Sequence, residues 1–402
     1  MATLREHIWF SQAGLTPAKR EILLEHFGSP SEIHLAGEAD FAGIQGIDRR
    51  DISALTDKSF AKAEEIIADC ERIGANILTR QDSGYPERLS EIADPPQVLY
   101  VMGSLPDIDS VLPVAVVGTR RPPEYGLYMS DLIATQLANA GALVVSGMAE
   151  GIDSTANRAA IRAGKPTVAV MGCGPDICYP SSEHRLWEEI MRNGAVITEY
   201  PPGTPPYGGN FLERNRIISG LSLAVVLISV GNRSGAMNTA AHALRQGREI
   251  YCVPGNVDRD DNAGVTKLIK NGAGVAENAS DILEGFTHMF PSIDLKAAAD
   301  RRGHFPPTAP KSSRGERYSR PARRDAPVIN PPPPPKPAEP PAEIRLEGAK
   351  GLIYGAVDRQ PVHIDKICEA TGLSAREALA ELLMLEMDGL MISRPGKFFA
   401  KV

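Results

Sequence analysis

The run VAVVG, residues 114–118, decides the fold: four apolar, largely β-branched residues closed by a glycine, too short for a helix and suited to a strand buried on both faces. The next hundred and forty residues repeat its logic. Helical spacing from about Glu124 to Ala140 leads to ALVVSG (142–147), a second helix near Ile152 to Ala163 leads to PTVAVMG (166–172), and AVITEY (195–200) comes next. A helix around Phe211 then precedes LAVVLIS (223–229), and a helix around Thr239 precedes EIYCVPG (249–255). Near-continuous Val/Ile/Leu strands between amphipathic helices predict an α/β fold, a Rossmann-like, doubly wound and mostly parallel sheet.

Outward from this core the character of the chain changes. Residues 1–72 read as a small helical domain, with apolar spacing at Ile22, Leu23 and Phe27 and later at Ile66 and Ile67. Between them GIQGI (43–47) has the glycine spacing of a helix-hairpin-helix (a SAM/HhH-like module), or of an ordinary turn in a helical bundle. The α/β core is expected over residues 73–290. Residues 291–343 contain PPPPP at 331–335 after a basic Ser/Arg stretch and have almost no aliphatic periodicity, so a disordered or polyproline-like linker is expected. Residues 344–402 form a last small domain.

The 402 residues carry a net charge of −7, which argues weakly against a polyanionic partner. The distribution says more. Nine Lys/Arg and two acids fall between Lys296 and Arg324, so any anion site in the acidic remainder is local. Five scattered cysteines form no CxxC pair, which fits reduced thiols and no metal. Arg5, Glu6 and His7 replace the basic-then-apolar start of a signal peptide, and the best apolar run, Leu223 to Val230, is far short of a membrane span. A cytoplasmic protein with no membrane contact is expected.

Parallel sheets hold ligands outside the carboxyl ends of their strands. Four loops there are loaded. VVGTRRP (116–122) delivers Gly118, Thr119, Arg120 and Arg121 before a helix, so backbone amides, helix potential and a guanidinium fork converge on an anion. VVSGMAEGID (144–153) places Ser146 and Gly147 in a second small-residue turn, readable as a cradle or as ordinary capping by Asp153 or Ser154. NFLERNRIISGLS (210–222) sets Arg214, Asn215 and Arg216 at the expected opening of a helix, where cations oppose the macrodipole and therefore suggest anions. Phe211, just before, is a core anchor or a platform for base stacking. RSGAMNTAAHAL (233–244) supplies Ser234, Gly235 and Thr239 as a further phosphate cradle.

Absences narrow the chemistry. No GKS or GKT follows the glycines, no GxGxxG opens the first helix, and there is no GxSxG or HExxH, so neither nucleotide hydrolysis nor a dinucleotide cofactor is expected. Asp153 and Glu199 stand where an acid and a base could act, but capping and a structural ion pair explain them with fewer assumptions. A binding protein with no catalytic residues and no cofactor is the leading reading. The alternative is a phosphoribohydrolase-like enzyme on the same kind of core, against which RSGAMNTA stands where a PGGxGT loop with its glutamate belongs.

In this order, DSGYPERLSEIADPPQVLYVMG (82–103), GTRRP, SGMAEGID, the Gly172–Pro180 loop, FLERNRIISGLS, RSGAMNTA and GREIYCVPG closely resemble the DprA/Smf family of DNA-processing proteins. The resemblance runs from about Ile73 through Glu284. It implies a dimer that binds single-stranded DNA, protects it as it enters the cell and loads the RecA recombinase on it during natural transformation. By position it carries site roles onto Gly118, Arg120, Ser146, Gly147, Phe211, Arg214, Asn215, Arg216, Ser234, Gly235 and Thr239. Arg120 with Arg214 or Arg216 are the expected phosphate ligands, and one arginine of the latter pair could instead meet a sheet-end carboxylate. The chain departs from the family pattern at Glu150, Asn157, Leu212 and Ser229, and Gly208 and Gly209 add no cation, so positive charge near the pocket is reduced.

From Gly348 the spacing predicts helix, helix, turn, helix and two short strands, which resembles a winged helix. Its expected recognition helix, SAREALAELLMLEMDG, has one arginine and four acids and would repel phosphate. Protein contact or support of a dimer is the expected role.

Overall fold

The computed structural model describes residues 2–299, 346, 348–394 and 396–402. The proline-rich stretch expected to be a linker lies outside the described residues from position 300 onward.

Six helices come first: α1 (Leu4–Ser11), α2 (Pro17–Phe27), α3 (Pro30–Leu35), α4 (Glu38–Phe41), α5 (Arg49–Thr56) and α6 (Ala61–Ile73). Their starts are written in the sequence: Thr16 and Ser29 accept backbone amides ahead of Pro17 and Pro30, and Asp48 closes a capping box with Asp51. Trp9, Phe10, Leu23, Ile33, Phe41 and Leu55 make their core. GIQGI is the turn between α4 and α5, with Gly43 and Gly46 at φ +91° and +93° and with Ile44 and Ile47 packed inward. The bundle is not separate from the sheet, since Ile8, Ala63, Ile66 and Cys70 pack on Val98 and Tyr100 at the sheet edge.

That edge is β1 (Asn76–Thr79) and, after the short α7 (Glu87–Ser90), β2 (Val98–Gly103). Then come β3 (Pro113–Gly118), α8 (Glu124–Asn139), β4 (Leu143–Ser146), α9 (Ile152–Arg162), β5 (Thr167–Val170), α10 (His184–Asn193) and β6 (Ala195–Thr198). The second half adds α11 (Gly208–Leu221), β7 (Ala224–Ile228), α12 (Gly235–Arg245), β8 (Glu249–Cys252), α13 (Ala263–Lys270) and β9 (Gly274–Val275). The nine strands lie in the order β1-β2-β6-β5-β4-β3-β7-β8-β9. Only the β1–β2 and β2–β6 pairs are antiparallel. The doubly wound reading therefore stands, with an antiparallel margin.

β3 pairs with β4 on one side and with β7 on the other, Val114 opposite Ala224 and Gly118 opposite Ile228. The chain leaves it first in one direction and later in the other. This reversal opens a crevice at the carboxyl ends of β4, β3 and β7. The strands there are mainly apolar and sealed by helices on both faces, Val145, Ile217 and Leu227 in one layer and Val144, Ile133 and Ile228 in the other.

Two expectations need correction. The linker does not begin at 291: after α14 (Ser280–Leu283), α15 (Leu295–Ala299) forms, Ala298 is buried against the core, and the Asp294 amide donates to the Ala140 carbonyl at 3.0 Å. Five residues are too few to show a helical period. Arg214–Arg216 also do not open a helix. α11 starts six residues earlier, at Gly208, so the macrodipole argument for cations there falls away.

The last domain has α16 (Gly348–Ala356), β10 (Val362–His363), α17 (Ile364–Thr371), α18 (Ala375–Met387), β11 (Met391–Arg394) and β12 (Phe398–Lys401). β12 lies between β10 and β11 in an antiparallel sheet of three, which forms the wing. Gly372 at φ +72° ends α17, and Ser374 with Glu377 boxes the start of α18, so the turn between these helices is built by local chemistry.

Half-buried on α12, His242 is held down to about 3 by desolvation first and then by Arg245 and Arg216. Because its folded value lies below the ordinary 6.5, the unfolded chain takes up a proton first as pH falls, and stability drops from pH 6.5 downward. His242→Gln should flatten the acid limb of a urea-denaturation series between pH 6.5 and 4, by at most about 1.4 kcal/mol per pH unit. An unchanged slope would show that the imidazole is solvated.

Candidate nucleotide site

The β3 loop and the β4 loop lie against each other. The Ile152 amide donates to the Thr119 carbonyl at 3.3 Å, and Gly151, at φ +88°, sits so close that a Cβ would come 2.6 Å from the Thr119 oxygen and 2.8 Å from that of Arg120. Only glycine meets both demands. Flanking this contact, Met148 after β4 and Ser229 after β7 hold left-handed backbone at φ 54° and 52°. Such residues cost roughly 1–3 kcal/mol each and concentrate at functional sites.

Arg214 lies under the β4 loop and is 3% exposed. It donates to the Gly147 carbonyl at 3.0 Å and to the Val170 carbonyl, and the Asp153 carboxylate supports its charge. Asp153 in turn accepts the Gly147 amide at 3.2 Å. Burial pushes the Asp153 carboxyl up to about 6, against the pull of Arg214 and of the Gly147, Gly118 and Ala149 amides. A Cβ on Gly147 would meet both Arg214 and Asp153 at 2.7 Å, so glycine there lets the two side chains share the space beneath the loop.

Arg216 points the other way. Its Nε meets Asp94 at 2.8 Å and its Nη2 meets Glu199 at 2.5 Å, tying α11 to the segment before β2 and to the end of β6. The two arginines of the RNR triplet are thus a clamp inside the fold. Asn215, between them, bonds the Gly235 carbonyl at 3.3 Å and Asn238 at 3.2 Å, joining α11 to the start of α12.

What remains open is a cavity of about 100 Å³ lined by Arg120, Gly147, Ala149, Glu150, Tyr179, Pro180 and Phe211. Phe211 packs on Gly172, where a Cβ would approach its ring to 2.9 Å, and lies 5.0 Å from the Tyr179 ring. The guanidiniums of Arg120 and Arg214 each stand 5.7 Å from its centroid. Arg120 is exposed and has no acidic partner among the described residues. The Glu150 carboxylate, also on the cavity, accepts from the Ser182 hydroxyl at 3.0 Å.

Of the residues read as a site, the structure gathers Arg120, Gly147 and Phe211 around this cavity. Gly118 and Thr119 are half-buried in the β3 loop outside its lining, and Arg121 faces solvent. The Ser146 hydroxyl is turned inward to the Val116 carbonyl at 2.6 Å. Ser234 caps α12 by accepting the Ala236 amide, Gly235 is open to solvent, and Thr239 is 2% exposed. Tyr179 and Pro180 were not foreseen as site residues. Their signal was position, since they belong to the loop after β5, at the same strand ends as the others.

A mostly parallel sheet with a small aromatic and cationic cavity at its strand ends, followed by a winged helix, defines the class: an α/β protein with a C-terminal winged-helix domain. Comparison with known proteins narrows it. Residues 76–287 match the family described as DNA recombination-mediator protein A, and residues 331–397 match the DprA winged helix domain. Protein Smf of Synechocystis sp. is 31% identical over 399 residues, 96% of each chain. The DNA processing protein DprA of Bacillus subtilis is 33% identical over 246 residues, 60% of this chain and 83% of its own. The X-ray structure of DNA processing protein A from Streptococcus pneumoniae matches with a TM-score of 0.63 at 31% identity, over 70% of this chain and 98% of that one. The chain belongs to the DprA/Smf family of DNA-processing proteins.

Proposed function

We propose that this protein binds single-stranded DNA through the Arg120–Phe211 cavity without altering it chemically. The observation that carries the reading is the pairing of a half-buried aromatic ring with a guanidinium free of any acidic partner among the described residues. The cation offers a phosphate a partner at no cost to an existing ion pair, and the ring offers a base a stacking surface. A duplex hides its base faces in the stack, so of the forms of DNA an unpaired strand is the one that presents both together. Of the carboxylates nearest to acid–base roles, Glu199 is paired with Arg216, and Asp153 accepts the Gly147 amide within the field of Arg214.

At the level of the cell we infer that a homodimer protects incoming single strands in the cytoplasm and passes them to RecA during recombination and natural transformation. Membership of a DNA-processing family supports this reading. Among the described residues no helix is long and apolar enough to cross a membrane.

Titrating a labelled oligonucleotide across a salt series tests the DNA reading. Phe211→Ala should weaken binding by the roughly 1–3 kcal/mol that one stacked base contributes, about 5- to 150-fold. Salt-independent binding, or release of free base from a nucleotide by the purified protein, would overturn it.

A further inference from the structure

In winged helices that read DNA, the third helix enters the major groove. Here that helix is α18, and it is apolar on two sides. Ala378, Leu382 and Leu385 enter the core of their own domain with Ile353, Ile367 and Phe399. Leu383, 4% exposed, instead joins the large core cluster that holds Met237 and Ala240 of α12 and Leu268 of α13, with Met384 and Met387 packed against it. The Asn238 amide reaches the Met384 sulfur at 3.9 Å.

The charges around this strip are complementary. Arg245 of α12 meets Glu381 at 2.8 Å, and Lys267 of α13 meets Glu386. Arg376, the helix's one arginine, leans toward Glu249 at 4.0 Å. The other two acids are used at home, Glu377 in the capping box and Asp388 with Lys350 at 2.8 Å. Every acid that makes α18 unsuited to phosphate therefore has a partner.

We propose that the face of α18 is a protein-docking surface whose partner is this chain's own α12–α13 face, held by the Arg245–Glu381 and Lys267–Glu386 pairs. While docked, the face is closed to a duplex groove. The seam is not fully filled: a cavity of about 210 Å³ remains between Leu244, Ile250 and Leu268 on one side and Leu379 and Leu383 on the other. Interfaces of this kind, part polar and loosely packed, open and close. α12 also carries the Asn215–Asn238 contact, so the latch sits one helix away from the candidate nucleotide site.

Small-angle scattering of the full chain tests the docking. The wild type should be compact at low salt and stay so as salt rises, because the two pairs are partly buried and only weakly screened and Leu383 is packed in the apolar core. The double variant R245E/K267E should expand at low salt, its docked-to-undocked ratio falling about tenfold or more. The quadruple variant R245E/K267E/E381R/E386K, with the pairs rebuilt in reverse, should return to the compact radius. A wild type already expanded at low salt, a double variant as compact as the wild type, or a quadruple variant that stays expanded would each overturn the proposal. Circular dichroism separates loss of docking from loss of fold, because the undocked double variant keeps the wild-type helical signal.

Discussion

Arg214→Met is expected to lower stability by about 3–5 kcal/mol, the cost of leaving a buried charge without its partner. For a domain of this size that is a fall in Tm of roughly 6–20 °C. The methionine fills much of the volume but leaves Asp153 unsupported and the Gly147 and Val170 carbonyls without their donor. A pH series identifies the cause. Burial already lifts the Asp153 carboxyl to about 6, and removing Arg214 lifts it further. An acid whose folded value lies above its unfolded value favours the fold when protonated, so that contribution is present at low pH and lost as pH rises through the folded value. The variant should therefore gain stability as pH is lowered from 7 toward 5, and Asp153→Asn in the same chain should restore part of the loss at pH 7. A variant with wild-type Tm would mean that Arg214 is not part of the internal clamp.

Arg120→Ala is expected to do the opposite: to leave the melting curve within about 0.5 kcal/mol of the wild type, as exposed substitutions do, while weakening single-stranded DNA binding about tenfold or more. Of the cations at the cavity it is the one that faces outward, since Arg214 is committed beneath the β4 loop. The plot of log affinity against log salt should lose about 0.7 in slope for each phosphate contact removed. Arg120→Lys should keep that slope but lose the forked guanidinium that stands 5.7 Å from the Phe211 centroid, giving intermediate affinity. Equal affinity and equal slope in wild type and Arg120→Ala would place the strand elsewhere on the protein.

Strands β3 to β8 were legible because each lies in a short, mainly apolar run between helical spacings, and period and length are local properties; the two-residue β9 carries no such run. The clamp was not. Arg214, Asn215 and Arg216 read as cations awaiting an anion, yet the partners of the two arginines, Asp153, Asp94 and Glu199, sit in loops scattered along the chain and meet them only in the folded sheet. Gly208 and Gly209 resemble a loop, which hid the true start of α11 and with it the depth at which the triplet lies. For α18 the sequence showed one arginine and four acids, from which protein contact or support of a dimer was the expected role. It could not show what covers the helix's second apolar side, because α12 and α13 lie far away in the chain.

The placement of β3 between β4 and β7 has a consequence for the chain as it leaves the ribosome. One neighbour emerges a single helix later; the other, Ala224–Ile228, arrives only after two further strands and their helices. Throughout that interval the central strand of a nascent core has a bare apolar edge, the kind of template on which unfinished chains pair wrongly. Synthesis of β7 closes that edge, so quality control of this protein is a matter of timing as well as of final stability.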